Sequence, residues 1–228
     1  MKTRYEEMLP DELQEVIRAA PVAYVPLGSL EWHGYHLPVG NDAIKVHEIC
    51  LRAAQVTGGA VLPPLFCGVG GGHKGYFASI MVEQEWIEPL LKRQFDCLAN
   101  HGFRVIVAVT GHYPGEQVEM VRRAAAAHMA EPASAKVMAL PEYEAFPSEP
   151  RRGDHAAKWE TSILCNLRPE LVEVQRLTDG REDPLYGIYG DDPREHASKQ
   201  LGAATVDGIV EGLAKMVREA LAAARRDA

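Results

Sequence analysis

From Phe103 to Val109 the chain carries one charge, Arg104, and then reads Val-Ile-Val-Ala-Val before reaching Thr110-Gly111-His112. A strand with one wet face alternates apolar and polar residues. An unbroken apolar run is what a strand covered on both faces requires. Pro114, a favoured first helical residue, then opens a predicted helix over 114–130. The run Val22 to Leu27 has the same character and ends on Gly28-Ser29. Buried strands that hand over to helices call for a mostly parallel sheet with helices on both faces, a three-layer α/β/α sandwich.

Periodicity fills in the remaining elements. Helices are predicted over 11–20, opened by Asp11 after Pro10, and over 43–57, 84–101, 156–167 and about 199–224. Trp86, Leu90, Leu91 and Leu98 should face inward from the third of these, and Ile209, Leu213, Met216, Val217 and Leu221 form one stripe on the last. Asn41 or Asp42 is placed to cap the helix 43–57. Further strands are expected over 60–66 and 135–140, with Pro63 and Pro64 ending the former or holding it at an edge. The 228 residues are 46% hydrophobic and no polar linker divides them, so a single domain over 1–228 is expected.

Charge and cysteine usage exclude several classes. A net charge of −8 disfavours a protein that tracks nucleic-acid phosphates, which needs clustered Lys and Arg. The four cysteines, Cys50, Cys67, Cys97 and Cys165, form no C-x-x-C pair and read as thiols of a reducing compartment. The first residues lack an apolar signal core and no run is long enough to span a membrane, so a cytoplasmic protein is expected. The glycines of 68–72 are not followed by Gly-Lys-Ser/Thr, and no glycine fingerprint follows the first strand. A nucleotide loop is therefore disfavoured.

The remaining chemistry gathers at strand ends. Glu31 and His33 are two apart, so on an extended backbone both leave the same face, whereas on a helix they would diverge by roughly 200°. Asp42 stands where a strand-end loop meets a helix start, a frequent place for active-site groups in open parallel sheets. His73 follows the second strand, His112 follows the third, and Glu160 opens a later helix. Carboxylates with two or three histidines suit Zn²⁺, Mn²⁺ or Fe²⁺. Three carboxylates and a bridging hydroxide would neutralise two divalent ions, which together lower the pKa of a shared water toward ~7 and polarise a carbonyl. Without metal, the same carboxylates would repel one another.

These residues resemble the creatininase family of metal-dependent amidohydrolases along nearly the whole chain. The family's Gly-Ser-x-Glu-x-His-Gly-x-His-Leu-Pro-x-x-x-Asp is present from Gly28 to Asp42. Gly72-His73 through Ser79-Ile80 looks like its His-x-x-x-Pro-Gly-Thr-Ile, with Phe77-Ala78-Ser79 in place of Pro-Gly-Thr. Thr110-Gly111-His112 is similar to its Asn-Gly-His, and His155-Ala156-Ala157-Lys158-Trp159-Glu160-Thr161-Ser162 to its His-Ala-Gly-x-x-Glu-Thr-Ser.

The resemblance implies a binuclear centre with two divalent ions per subunit. Asp42 would bridge both ions, Glu31 and His112 would hold one, and His33 plus a further carboxylate the other. In creatininase that last carboxylate follows the strand-end histidine by two positions, where this chain has Pro114. Glu160 is favoured over Glu116, whose place in a first helical turn is ordinary dipole compensation. His155, with an ordinary imidazole pKa, would be the acid that protonates a leaving nitrogen. His73, Ser79, Gly111 and Tyr113 would contact a small-molecule substrate. The loop 141–154 lacks the tryptophans of creatininase proper, which makes creatinine an improbable substrate. Another small cyclic amide or formamide is expected. Carbon–carbon hydrolysis of a keto-cyclitol and a non-catalytic metal-binding relative are the alternatives. The family also implies a homo-oligomer, often a hexamer. His36 is expected to be structural, and the pair Arg151-Arg152 to be solvated.

Overall fold

A computed structural model describes residues 2–132, 135–146 and 153–226. In chain order the elements are α1 (Pro10–Ala19), β1 (Val22–Gly28), α2 (Asn41–Thr57), β2 (Ala60–Val61), β3 (Leu65–Phe66), α3 (Gln84–Asn100), β4 (Val105–Thr110), α4 (Gly115–Met129), β5 (Lys136–Pro141), α5 (Lys158–Leu167), α6 (Pro193–His196) and α7 (Lys199–Arg226). The strands are parallel in the order β2-β1-β4-β5, with β3 also on β1. The α/β sandwich expected from the apolar runs is the fold observed.

Alternation along the two central strands separates the layers. Ala23, Val25 and Leu27 of β1, with Ile106 and Ala108 of β4, pack with α1, α3 and α4. Val22 and Tyr24, with Val105, Val107 and Val109, pack with α2, α5 and α7. The run 60–66 is two short strands, because Pro63 and Pro64 interrupt it. Pro26, which has no N–H to donate, falls opposite that break in the register of β1.

Two expectations about helices are corrected. On α3 the buried stripe is Ile87, Leu91, Phe95 and Leu98, spaced by three or four residues, while Trp86 is 71% and Leu90 46% exposed. The roughly 100° step per residue turns those two away from the core. Neither Asn41 nor Asp42 caps α2. Gly40 is its N-cap, and Asp42 lies buried inside the first turn.

The chain crosses from β1 through α2 to β2 on one side, and β4 then pairs with β1 on the other. The carboxyl ends of β1 and β4 therefore flank a topological switch point, where open α/β sheets bind ligands. Two glycines let α2 reach that crevice. A Cβ on Gly28 would lie 2.4 Å from the Ala43 nitrogen, and one on Gly111 would lie 2.2 Å from the Asp42 carbonyl oxygen. Among the described residues no helix is long and apolar enough to cross a membrane.

Candidate metal centre and active site

The loop after β1 turns Glu31 and His33 into the crevice, α2 brings Asp42 up between the strand ends, and the turn after β4 delivers His112. All four side chains are buried. Asp42 faces two ways. Its Oδ2 accepts the Ser29 hydroxyl at 2.7 Å and lies 3.1 Å from His112 Nδ1, while its Oδ1 lies 2.9 Å from His33 Nε2. His112 Nδ1 is also 3.0 Å from Glu31 Oε2. Glu160, in the first turn of α5, accepts the Ala156 N–H at 2.7 Å and lies 3.5 Å from His33 Nε2. Glu116 is exposed and packs toward Gly70.

Each of three trios offers ligand atoms within 4.8 Å of one another: Glu31-Asp42-His112, His33-His155-Glu160 and Glu31-His73-His155. The donor chemistry fits divalent ions. Glu31 and Asp42 converge in a buried crevice, and the protons of His112 and His33 compensate them. Burial alone would disfavour an imidazolium at His112, yet Asp42 and Glu31 lift it to about 9. Burial is likewise outweighed at His33, which Asp42 and Glu160 raise well above its ordinary value. Burial would raise Glu31, but hydrogen bonds from His112 and His73 hold it at about 2. A site that attracts protons so strongly between carboxylates offers the same places to a metal cation.

The other anticipated site residues are drawn into supporting contacts. His73 is buried, with Nδ1 3.1 Å from Glu31 Oε1, and it stacks on His155 at 3.8 Å. It lines the cavity and also holds a carboxylate. His155 is not an ordinary imidazole. Burial, then the charge of His33, lowers it to about 4. Its Nε2 donates to the Trp32 carbonyl at 2.7 Å, leaving Nδ1 as the basic nitrogen of a neutral ring.

Ser79 is not a lining residue; its hydroxyl accepts the Trp32 N–H at 2.9 Å. The Gly111 N–H is taken by the Leu27 carbonyl at 2.9 Å, so the backbone donor expected to greet substrate is already used. Gly111 is small here because Asp42 presses against it. The Tyr113 hydroxyl donates to Glu142, which leaves the ring of Tyr113 to line the cavity. His36 is structural, its Nε2 2.9 Å from Thr161 Oγ1. Arg151 and Arg152 lie outside the described residues.

Three residues not singled out in the sequence complete the site. Lys45, one turn beyond Asp42 on α2, is fully buried against Glu160, 3.6 Å from Asp42 Oδ1 and 3.6 Å from Glu142 Oε1. Burial opposes its charge, but Glu160, Glu142 and Asp42 raise its pKa. Asp154 accepts the Trp159 N–H at 2.6 Å and the Glu160 N–H at 3.1 Å, pinning the start of α5. Burial and the charge of Glu160 raise it to about 7. Lys45 carried a signal: it sits on the stripe of α2 that otherwise buries Val46, Ile49 and Cys50. Glu142 carried none, because its partners Tyr113 and Lys45 are distant in sequence.

The cavity over these residues has a volume of about 180 Å³, with Gly71, Gly72, Pro114 and Tyr189 at its rim. The sequence matches the family described as creatininase, creatinine amidohydrolase, over residues 6–217. The chain belongs to the creatininase family. The family's amidohydrolases, peptidase-named relatives included, are hydrolytic enzymes that act on carbon–nitrogen bonds.

Among the relatives of this creatininase-family chain, creatinine amidohydrolase of Pseudomonas putida is 26% identical, covering 87% of this chain and 89% of that one. Mycofactocin precursor peptide peptidase of Mycobacterium ulcerans is 33% identical over 72% of this chain and 66% of that one. A crystal structure of creatininase superposes with a TM-score of 0.80 at 24% identity, covering 95% of this chain and 97% of that chain. A creatininase mutant of Zn-Zn type superposes with a TM-score of 0.77 at 25% identity, covering 96% and 98%.

Proposed function

We propose that this chain is a two-metal hydrolase that cleaves the C–N bond of a small amide, on one α/β domain spanning residues 1–228. The observation that carries the reading is the posture of Asp42, whose two oxygens face different histidines, His112 and His33. A carboxylate so placed suits a bridge. Glu31 and His112 would hold one ion, and His33 and Glu160 the other. The zinc-containing mutant of a related creatininase supports the choice of a divalent metal. Bound there, such ions would polarise a carbonyl and lower the pKa of a water toward ~7.

The chain's own residues supply positioning and proton transfer. Ser29 donates to Asp42 and, at 3.2 Å, to Glu31, holding both carboxylates in place. His73 backs Glu31 from the opposite side. The Trp32 carbonyl fixes the tautomer of His155, so that Nδ1 can accept the proton released as water attacks and then deliver it to the leaving nitrogen. A neutral ring therefore works as base first and acid second. The ring of His73 stacks on that of His155 at 3.8 Å.

A cavity of about 180 Å³ encloses only a small group, which favours a lactam, formamide or cyclic urea. The peptidase-named relative at 33% identity favours a second reading, in which the amide belongs to a peptide whose remainder lies outside the cavity. The reading places the enzyme in the cytoplasm, in keeping with four free thiols. It also makes the enzyme a homo-oligomer, in keeping with exposed Phe77 and Trp86, and light scattering tests that assembly.

The deciding experiment is a screen of lactams, formamides, cyclic ureas, keto-cyclitols and short peptides with Zn²⁺ or Mn²⁺. Metal content is measured on the same samples. Amine release from one amide class supports the reading and selects between its two forms. A metal-loaded protein that turns over only a keto-cyclitol would replace C–N with C–C hydrolysis. In the same assay His155→Ala should keep its metal and lose turnover.

A further inference from the structure

We propose that Lys45 makes the two metal positions unequal, so that the Glu31–Asp42–His112 side fills first and the His33–Glu160 side binds its ion weakly. The inference rests on the two-metal reading above and concerns the order in which that site loads. The two oxygens of Asp42 mark the two sides. On the Oδ2 side stand the Ser29 hydroxyl, His112 and the full negative charge of Glu31. The partners of Glu31 are that hydroxyl and two imidazoles, none of them a lysine or arginine. A cation arriving there meets the carboxylate of Glu31 with a hydroxyl and imidazoles, and no ammonium, as its partners.

On the Oδ1 side the balance is already struck. Lys45 Nζ pairs with Glu160 through Oε1, and it lies 3.6 Å from Asp42 Oδ1 itself. The remaining oxygen of Glu160, Oε2, accepts the Ala156 N–H at 2.7 Å. Lys45 answers Glu160 as well as Glu142, so a second ion on this side would share Glu160 and Asp42 with an ammonium already seated on them. The ammonium cannot withdraw to solvent. It is fully buried, lies 3.6 Å from Glu142 Oε1, and sits 4.4 Å from the centre of the Tyr113 ring. Tyr113 in turn is held by its hydroxyl on Glu142. A divalent ion on this side must coexist with a buried cation that shares its carboxylate. Repulsion at such range in a protein interior weakens binding by on the order of 100-fold.

The test is a titration of metal-free full-length protein with Mn²⁺, read by calorimetry and by the electron paramagnetic resonance of bound Mn²⁺. The wild type should bind one equivalent tightly as an isolated ion. A second equivalent should bind at least about tenfold more weakly and bring the spectrum of a coupled pair. His33→Ala should remove only the weak equivalent. Lys45→Met and Lys45→Gln, the latter keeping a donor for Glu160, should tighten the second equivalent at least tenfold while leaving the first within about threefold. Circular dichroism checks their folding. Two equivalents of equal affinity in the wild type would overturn the inference and leave the two-metal reading standing, as would a gap unchanged in both folded variants. A protein that binds no second equivalent at saturation, in the wild type or in either variant, would overturn the two-metal reading itself. The wild-type titration decides between equal and unequal sites without any variant having to fold.

Discussion

Helices α2 and α3 are both seventeen residues long and pack on opposite faces of the same sheet, yet they depart from the amphipathic pattern in opposite directions. The first buries charge: Asp42 and Lys45 sit on its core-facing stripe. The second exposes apolar surface, with Trp86 and Leu90 outward while Ile87, Leu91, Phe95 and Leu98 fill the core. Buried charge is tolerated only where partners answer it, and on α2 they come from four other parts of the chain, His33, His112, Glu142 and Glu160. The anomaly of α2 is therefore internal to the site. That of α3 faces outward, away from this chain's core.

The sharpest way to break the comparison is to remove the charge at the centre of α2. Asp42→Ala should abolish binding of both ions and lower turnover at least about 1,000-fold, and the thermal midpoint of the metal-free protein should fall, because His33, His112 and Lys45 lose the carboxylate that answers them. Metal analysis, turnover and melting on one preparation check this. On α3 the largest effect should fall on stability. Phe95→Ala empties a fully buried position and should cost about 3–5 kcal/mol in urea unfolding, with metal affinity unchanged in the folded fraction.

A smaller, graded effect should follow pH. In the metal-free protein His112 is raised to about 9 from its ordinary 6.5, so its proton stabilises the fold fully below about 6.5 and that contribution fades as pH rises through 9. Metal must expel this proton. Affinity should therefore climb by about tenfold per pH unit from 6.5 toward 9 and then flatten, with proton release visible as a buffer-dependent binding enthalpy. His112→Gln should remove most of that slope. The smallest effect belongs to the exposed stripe. Trp86→Ser should change subunit stability by no more than about 0.5 kcal/mol. If α3 lies in an interface, the same variant shifts the sedimentation profile toward smaller species, and an unchanged profile would end that role for α3.

Much of the site was legible in one dimension because strand ends are local. Glu31 and His33 leave one strand end two residues apart, His112 leaves another, and the buried runs before them identify those ends. The reason for glycine at 28 and 111 emerged only in three dimensions, where the first turn of α2 comes against both. Local pattern failed where the deciding partner is remote. The place of Asp42 beside a helix start fits a cap as well as a site residue, and the structure gives its carboxylate to the crevice and the cap to Gly40. Trp86 and Leu90 were placed inward because the apolar residues of α3 cover more of its circumference than one neighbouring layer can bury.

The sequence by itself therefore determined the α/β class, the family and the residues that converge on the switch point. Tertiary structure alone decided how those residues are committed. It spent the Tyr113 hydroxyl on Glu142 and the Gly111 N–H on Leu27, set the ring of His155 between His33 and His73, and set Lys45 against Glu160, 115 positions away. The physical reason is that ligand identity is written in residue type and spacing. Charge state and hydrogen-bond occupancy depend instead on which distant groups share a few ångströms of desolvated space.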